Sequence, residues 1–190
     1  MLEIRRRAIH ITFGLLLIAA LLLRGEGNRE LIEGVLFAVF LIGLWIIDMK
    51  LKKRKLPVVD YLLETFERPH ALPAYGAFWY GMGVLLLLSF VGDLNFICAS
   101  IAILALGDGF STLIGRMGNT RFFYNKKKTL EGSIAFFIVS SFASYPFIGF
   151  SGVVLAFICS VAESIDWGVD DNFIIPLICV VYYMRLMWAV

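Results

Sequence analysis

Hydrophobic positions run through this chain in long unbroken stretches, and its polar positions gather between them. Seven apolar segments stand out, at 8–23, 31–47, 72–91, 94–114, 132–149, 151–162 and 173–190. A helix crossing the hydrocarbon core of a bilayer takes about 20 mostly apolar residues. The pattern therefore predicts an all-α, polytopic membrane protein with about seven transmembrane helices in a single domain, 1–190; the sixth segment is the shortest. Segment 57–73, PVVDYLLETFERPHALP, reads differently, because Val58, Tyr61, Leu62 and Phe66 recur at helical spacing with Asp60, Glu64 and Glu67 among them. That is the pattern of an amphipathic helix lying in the membrane interface. Arg5, Arg6 and Arg7 precede the first segment as they would in a secretory signal. The following Arg24, Gly25, Glu26 and Gly27 supply no small-residue cleavage site, so the segment is read as a retained first helix.

Composition agrees and excludes the soluble alternative. Hydrophobic residues make up 60% and charged residues 17%, with a mean hydropathy of +0.85; soluble domains carry about 45–50% and about 25%. A net charge of +2 points to no nucleic-acid partner. The position of the charges is more telling. With the N-terminus in the cytosol, alternating spans bring to that side Arg5 to Arg7, the basic run from Lys50 to Lys55, Arg68, Arg116, Arg121 and Lys126 to Lys128. Only Arg24, Arg29 and Arg185 are left elsewhere, and basic loops stay cytoplasmic. Cys98, Cys159 and Cys179 are widely spaced in apolar runs and read as small core residues. The pattern shows no internal repeat and specifies no oligomeric state.

Ionisable residues close to a membrane core are candidates for function, and here they cluster at span ends. Asp108 sits in LGDGFSTLIGRMGN, where Gly107, Gly109, Gly115 and Gly118 leave room for the backbone to approach a bound group such as a phosphate. A basic loop then ends in KKKTLEGS, which sets Lys127, Lys128 and Thr129 before a helix whose first turn holds Glu131. Lysines and helix N-termini both attract anions. The sixth segment ends in AESIDWGVDDNFIIP, and Glu163, Asp166 and Asp170 would share one face if that stretch is helical. Carboxylates gathered in this way suit Mg2+, which takes one or two of them together with substrate phosphates. All of these groups, with Arg6, His10, Glu67 and Arg68, fall on the cytosolic side of the expected topology. A nucleotide site facing the cytosol over a lipid-facing cavity follows. Pro176 removes the hydrogen bond to the Asn172 carbonyl, which frees that oxygen for a ligand or only kinks the helix.

The combination LGDGFSTLIGRMGN, KKTLEGS and AESIDWGVDDNFIIPL resembles the CTP-dependent lipid kinases, the diacylglycerol/polyprenol kinase family that includes dolichol and phytol kinases. RRRAIH and ERPHALPAYGAFWYGMG agree more weakly. The resemblance covers nearly the whole chain. It implies transfer of the γ-phosphate of CTP to the hydroxyl of a membrane lipid alcohol, with Mg2+ as cofactor. By the same resemblance Asp108, Glu163, Asp170 and Asp171 are metal ligands, and Asp108, Lys128, Glu131, Glu163 and Asp166 are catalytic. Arg6, His10, Gly107, Gly115, Arg116, Gly118, Lys127, Thr129 and Asn172 are then expected to bind the nucleotide. A looser likeness to phosphatidate cytidylyltransferases keeps attack at the α-phosphorus as an alternative, and a transporter is another.

Overall fold

The computed structural model describes residues 2–24, 26–66 and 75–188. Among them the chain is helical, with no strand: α1 (Leu2–Arg24), α2 (Glu26–Leu51), α3 (Pro57–Phe66), α4 (Tyr75–Phe90), α5 (Leu94–Ala102), α6 (Asp108–Gly115), α7 (Leu130–Ile148), α8 (Phe150–Ser164) and α9 (Asp171–Trp188). A π-helical turn, Ile103–Gly107, joins α5 to α6, so that Leu94–Gly115 is one continuous rod. Five helical stretches are long and apolar enough to cross a membrane: Glu3–Leu23, Arg29–Leu51, Leu94–Gly115, Leu130–Ile148 and Asp171–Trp188. The expected third and sixth spans are the shorter apolar helices Tyr75–Phe90 and Phe150–Ser164. The beginning of the third expected span, Glu67 and Arg68, and the end of the seventh lie outside the described residues, as do the side chains of Leu62, Glu64 and Phe66.

The rod Leu94–Gly115 forms the centre of the bundle, with 72% of its most apolar window buried inside the protein, against 6% for α2. Ile97, Ile101, Ile103 and Leu104 are wholly enclosed by Leu21, Val84, Leu88, Phe136, Leu155 and Ile175 from the surrounding helices. Helix α7 packs on α8, α5 and α6, while α9 packs on α4 and α8. The outward sides are apolar too: Leu16, Phe37, Phe142 and Phe157 are each more than half exposed, as lipid-facing residues should be. Lys50 pairs with Asp60, whose other oxygen accepts the Leu56 N–H at 3.1 Å, and these contacts turn the chain from α2 into α3. Val58 and Tyr61, expected on the apolar face of an interfacial helix, are exposed on α3.

Small residues set the helix spacing, as is common where helices pack in lipid. A methyl group on Gly83 of α4 would lie 2.3 Å from the Asn172 carbonyl oxygen and 2.7 Å from Pro176 Cγ. The oxygen left without its helical donor by Pro176 thus faces the α4 backbone rather than open space. Gly83→Ala is expected to force α9 away from α4 and to cost about 1–3 kcal/mol, the range for overpacking. Thermal unfolding in detergent would measure it, and an unchanged midpoint would deny the close contact.

Candidate active site

The π turn aims Asp108. One residue more than an α-helical turn requires rotates everything after it by about 100°. The Asp108 N–H bonds back to the Ala105 carbonyl, and the Leu104 carbonyl accepts from His10 Nε2 at 3.2 Å. Asp108 is thereby turned from the bundle centre toward α1, where it pairs with the Arg7 guanidinium and lies 3.8 Å from His10 Nε2. Three residues later, on the same face of α6, the Ser111 hydroxyl stands 3.0 Å from Glu163 Oε1.

Glu163 projects from the last turn of α8, and Asp171 opens α9. One oxygen from each, with one from Asp108, lies within 4.8 Å of the other two. Lys128 reaches into this group from the loop before α7, pairing with Glu163 and donating to Asp171 Oδ2 at 2.7 Å. Burial alone would lower the Lys128 pKa, but the facing carboxylates of Glu163 and Asp171, with Asp108 behind them, hold it above its ordinary value. Lys128 is therefore a fixed cation rather than a proton carrier. Two cations, Arg7 and Lys128, face three carboxylates, so the cluster keeps an excess negative charge. Asp108 Oδ1, moreover, is buried without a partner. An orphaned carboxylate oxygen inside an electronegative trio fits a divalent cation with oxygen preference.

A cavity of about 1100 Å³ opens over this cluster. Its polar end is lined by Arg6, Arg7, Arg116, Arg121, Lys127 and Lys128 together with Asp108, Glu163, Asp166, Asp170, Asp171 and Asn172. Gly115, Gly118 and Thr129 border the same end. Its other end is an apolar trench between Ile9 and Phe13 of α1, Val39, Ile42 and Ile46 of α2, and Ala77, Phe78 and Gly81 of α4. His10 and Tyr80 stand where the two ends meet, ring to ring at 4.5 Å, and the buried Tyr80 hydroxyl has no partner.

The loop from Gly118 to Thr129 is built by its own polar residues. Arg121 and Thr129 form an isolated antiparallel bridge, Asn125 Nδ2 donates to the Ser164 carbonyl at 3.0 Å, and the Asn125 amide oxygen accepts the Lys127 N–H. Thr129 caps α7 by accepting the Gly132 N–H, while the N–H groups of Leu130 and Ser133 bond to the carbonyls of Thr120 and Thr129. The first turn of α7 is thus satisfied internally, and the anion affinity expected of that helix end rests on the lysines instead. Glu131 does not line the cavity; its carboxylate accepts the N–H groups of Asn119 and Thr120 and ties down the loop that follows Gly118. Glu131→Ala is expected to speed amide exchange at Asn119 and Thr120 and to lower turnover by roughly 10- to 10²-fold through misplacement of that loop. Unchanged exchange would remove Glu131 from this role.

Several expected residues lie elsewhere than the sequence pattern suggested. Gly107 packs on α7, where a methyl group would meet Ser140 Oγ at 2.2 Å, and it does not border the cavity. Glu163, Asp166 and Asp170 do not share a helical face, because the helix stops at Ser164. There the Trp167 indole donates to the Ala162 carbonyl, Asp166 Oδ1 accepts the Gly168 N–H, and Gly168 takes a φ of +70°. Asp166 instead meets Lys127 in solvent at 3.0 Å, which holds its carboxyl below the ordinary range. Asp170 accepts the Asn172 N–H at 3.0 Å, and its partial burial raises its pKa. Arg6 turns to Glu3 at 2.9 Å. The cation on Asp108 is Arg7, which the sequence pattern did not single out, and Ser111 was likewise missed although it follows Asp108 at i+3.

Comparison with known proteins covers nearly the whole chain. Over 180 residues, 94% of this chain and 91% of the relative, it is 32% identical to an uncharacterized protein of Methanocaldococcus jannaschii. Over 192 residues, 92% of this chain and 76% of the relative, it is 30% identical to a phytol kinase of Synechocystis. No family model matches the chain, and no solved structure matches it.

Proposed function

We propose, from the premise that this chain belongs to the phytol kinase family of membrane lipid kinases, that it transfers the γ-phosphate of CTP to the hydroxyl of a membrane lipid alcohol. The observation that carries the reading is the cavity: a polar end with three carboxylates and several cations opens directly into an apolar trench. Such a cavity holds a charged phosphate donor and a lipid in one space, with His10 and Tyr80 at the boundary where a lipid hydroxyl would sit.

Phosphoryl transfer asks the protein for positioning and charge stabilisation more than for covalent chemistry. Asp108, Glu163 and Asp171 would hold Mg2+, which when bound neutralises phosphate oxygens as charge develops on them. Lys127, Lys128, Arg116 and Arg121 draw the triphosphate into the polar end, and Arg7 keeps the Asp108 carboxylate in place. The lipid lies in the trench with its hydroxyl at the boundary. The lipid oxygen bonds to the γ-phosphorus as the bond from that phosphorus to the β-phosphate oxygen breaks, giving a lipid monophosphate and CDP. Asp170 takes the proton of the hydroxyl: Glu163 and Asp171 are engaged with Lys128, and Asp166 with Lys127, whereas the Asp170 carboxylate lines the cavity, pairs with neither lysine and accepts the Asn172 N–H. CTP as the donor rests on the resemblance of the three motifs. The likeness to phytol kinase favours a single-chain isoprenoid alcohol, and the distribution of basic residues supports seven spans with the N-terminus and the site on the cytosolic side.

The test uses purified protein in detergent with Mg2+, CTP labelled distinguishably at its α- and γ-phosphorus, and a mixture of lipid alcohols and phosphatidate. The γ-label is expected in the lipid phase, on an alcohol. Entry of α-label would make the protein a cytidylyltransferase, and label in neither form would refute the kinase reading for these lipids.

A further inference from the structure

The lipid-facing stripes of two neighbouring helices continue past the helix ends. On α6, Phe110 and Ile114 are exposed one turn apart, and Met117 extends their line beyond the helix at 84% exposure. On α7, which packs against α6, Ile138, Ile134 and Leu130 form a matching exposed stripe leading to the same end of the bundle. The loop that connects these two helices presents Phe123, 92% exposed. That exposure is held in place: Phe123 meets Tyr124 edge to face at 5.0 Å, Tyr124 stacks on Phe122, and the Tyr124 hydroxyl lies 2.8 Å from Ser164 Oγ at the end of α8. The exposed Lys126, which does not line the cavity, follows Phe123 by three residues.

An aromatic ring and a methionine kept fully exposed by a braced loop are unfavourable in water, where apolar area costs about 25 cal/mol per Å². At the end of two exposed apolar stripes, and with Lys126 close by in the chain, they have a natural surrounding in the membrane boundary. We propose that this loop is a membrane foot: Met117 and Phe123 seat at the boundary between headgroups and acyl chains, and Lys126 meets anionic headgroups of the same leaflet. The loop also carries Lys127 and Lys128. Seating the foot therefore fixes the height of those lysines relative to the lipid in the trench. The inference rests on the membrane reading of the bundle and not on the identity of the phosphate donor.

A nitroxide on Phe123→Cys tests it, because Cys98, Cys159 and Cys179 are buried and escape labelling. In phosphatidylcholine vesicles containing phosphatidylglycerol, the label is expected to be more accessible to dissolved oxygen than to a water-soluble nickel chelate. Greater accessibility to the chelate would overturn the proposal, and so would a label shielded from both, which marks contact with another protein or a second copy. This readout needs no enzymatic activity, so its failure is separable from failure of the kinase reading. As a second measurement, the Met117→Ser, Phe123→Ser double variant is expected to need a several-fold higher surface density of lipid substrate for half-maximal rate, with the nucleotide KM unchanged. An identical lipid dependence would count against the foot.

Discussion

Asp108→Asn is expected to lower lipid phosphorylation by at least about 10²–10³-fold while the protein stays folded in the membrane, a loss typical of removing one preorganised electrostatic group. The side chain keeps its shape, so the buried position next to Arg7 and His10 stays filled. Its charge is lost, and with it the excess negative charge of the cluster: two carboxylates, Glu163 and Asp171, then face two cations. A divalent ion gains little from entering such a site. Turnover measured with γ-labelled nucleotide gives the size of the loss, and thermal unfolding with and without Mg2+ gives its cause. The parent protein should be stabilised by Mg2+ increasingly with the logarithm of its concentration above Kd, and the variant should not. Parent-like activity in Asp108→Asn would remove this residue from the metal site and with it the main support of the reading.

Lys128→Met should have the largest effect on stability. Glu163 is almost fully buried, and Asp171 and Lys128 are each about one-quarter exposed at the side chain. Removing one partner from a buried ion-paired group typically costs about 3–5 kcal/mol, because the charges that remain are uncompensated. Here three carboxylates within 4.8 Å would keep only Arg7. The loss should therefore depend on metal: low unfolding midpoint in chelator, and a larger rise on adding Mg2+ than the parent shows, since the ion replaces the missing charge. Activity should stay low even with Mg2+ saturating, because the ion does not supply the ammonium proposed to hold the phosphates. A midpoint equal to the parent's in chelator would mean that Lys128 does not neutralise this cluster.

The helices were legible because lipid demands long apolar runs, and the bounds of the rod Leu94–Gly115 differ from the expected 94–114 by one residue. The three motifs were legible as polar interruptions at span ends, and they do line one cavity. Which arginine of RRR faces Asp108 was not legible. It depends on how α1 is rotated against the central rod, and that rotation is set by tertiary contacts such as Gly14 against Ala105. Glu163 and Asp171 do meet Asp108, but the helical face expected to join Glu163, Asp166 and Asp170 does not form, for a local reason. Asp166 and Trp167 both bond to nearby backbone and end α8, the competition with helix that short polar side chains commonly offer. The acid that joins Asp108 and Glu163 is consequently Asp171, reached by a turn rather than by helical periodicity. Glu131 shows a further limit, because a carboxylate beside two lysines looks catalytic in a linear string and is used here to hold a loop.

The π turn at Ile103–Gly107 has a consequence for how such a protein can vary. The direction of Asp108 depends on how many residues precede it in the central rod, not on which they are. Substitutions of similar size among Ile103, Leu104 and Ala105 leave the count intact. Insertion or deletion of a single residue between Leu94 and Asp108 would turn the carboxylate by about 100° away from Arg7 and Glu163. It would do so within a rod still long and apolar enough to cross a bilayer. The reading frame of this helix is therefore under stricter constraint than its spelling.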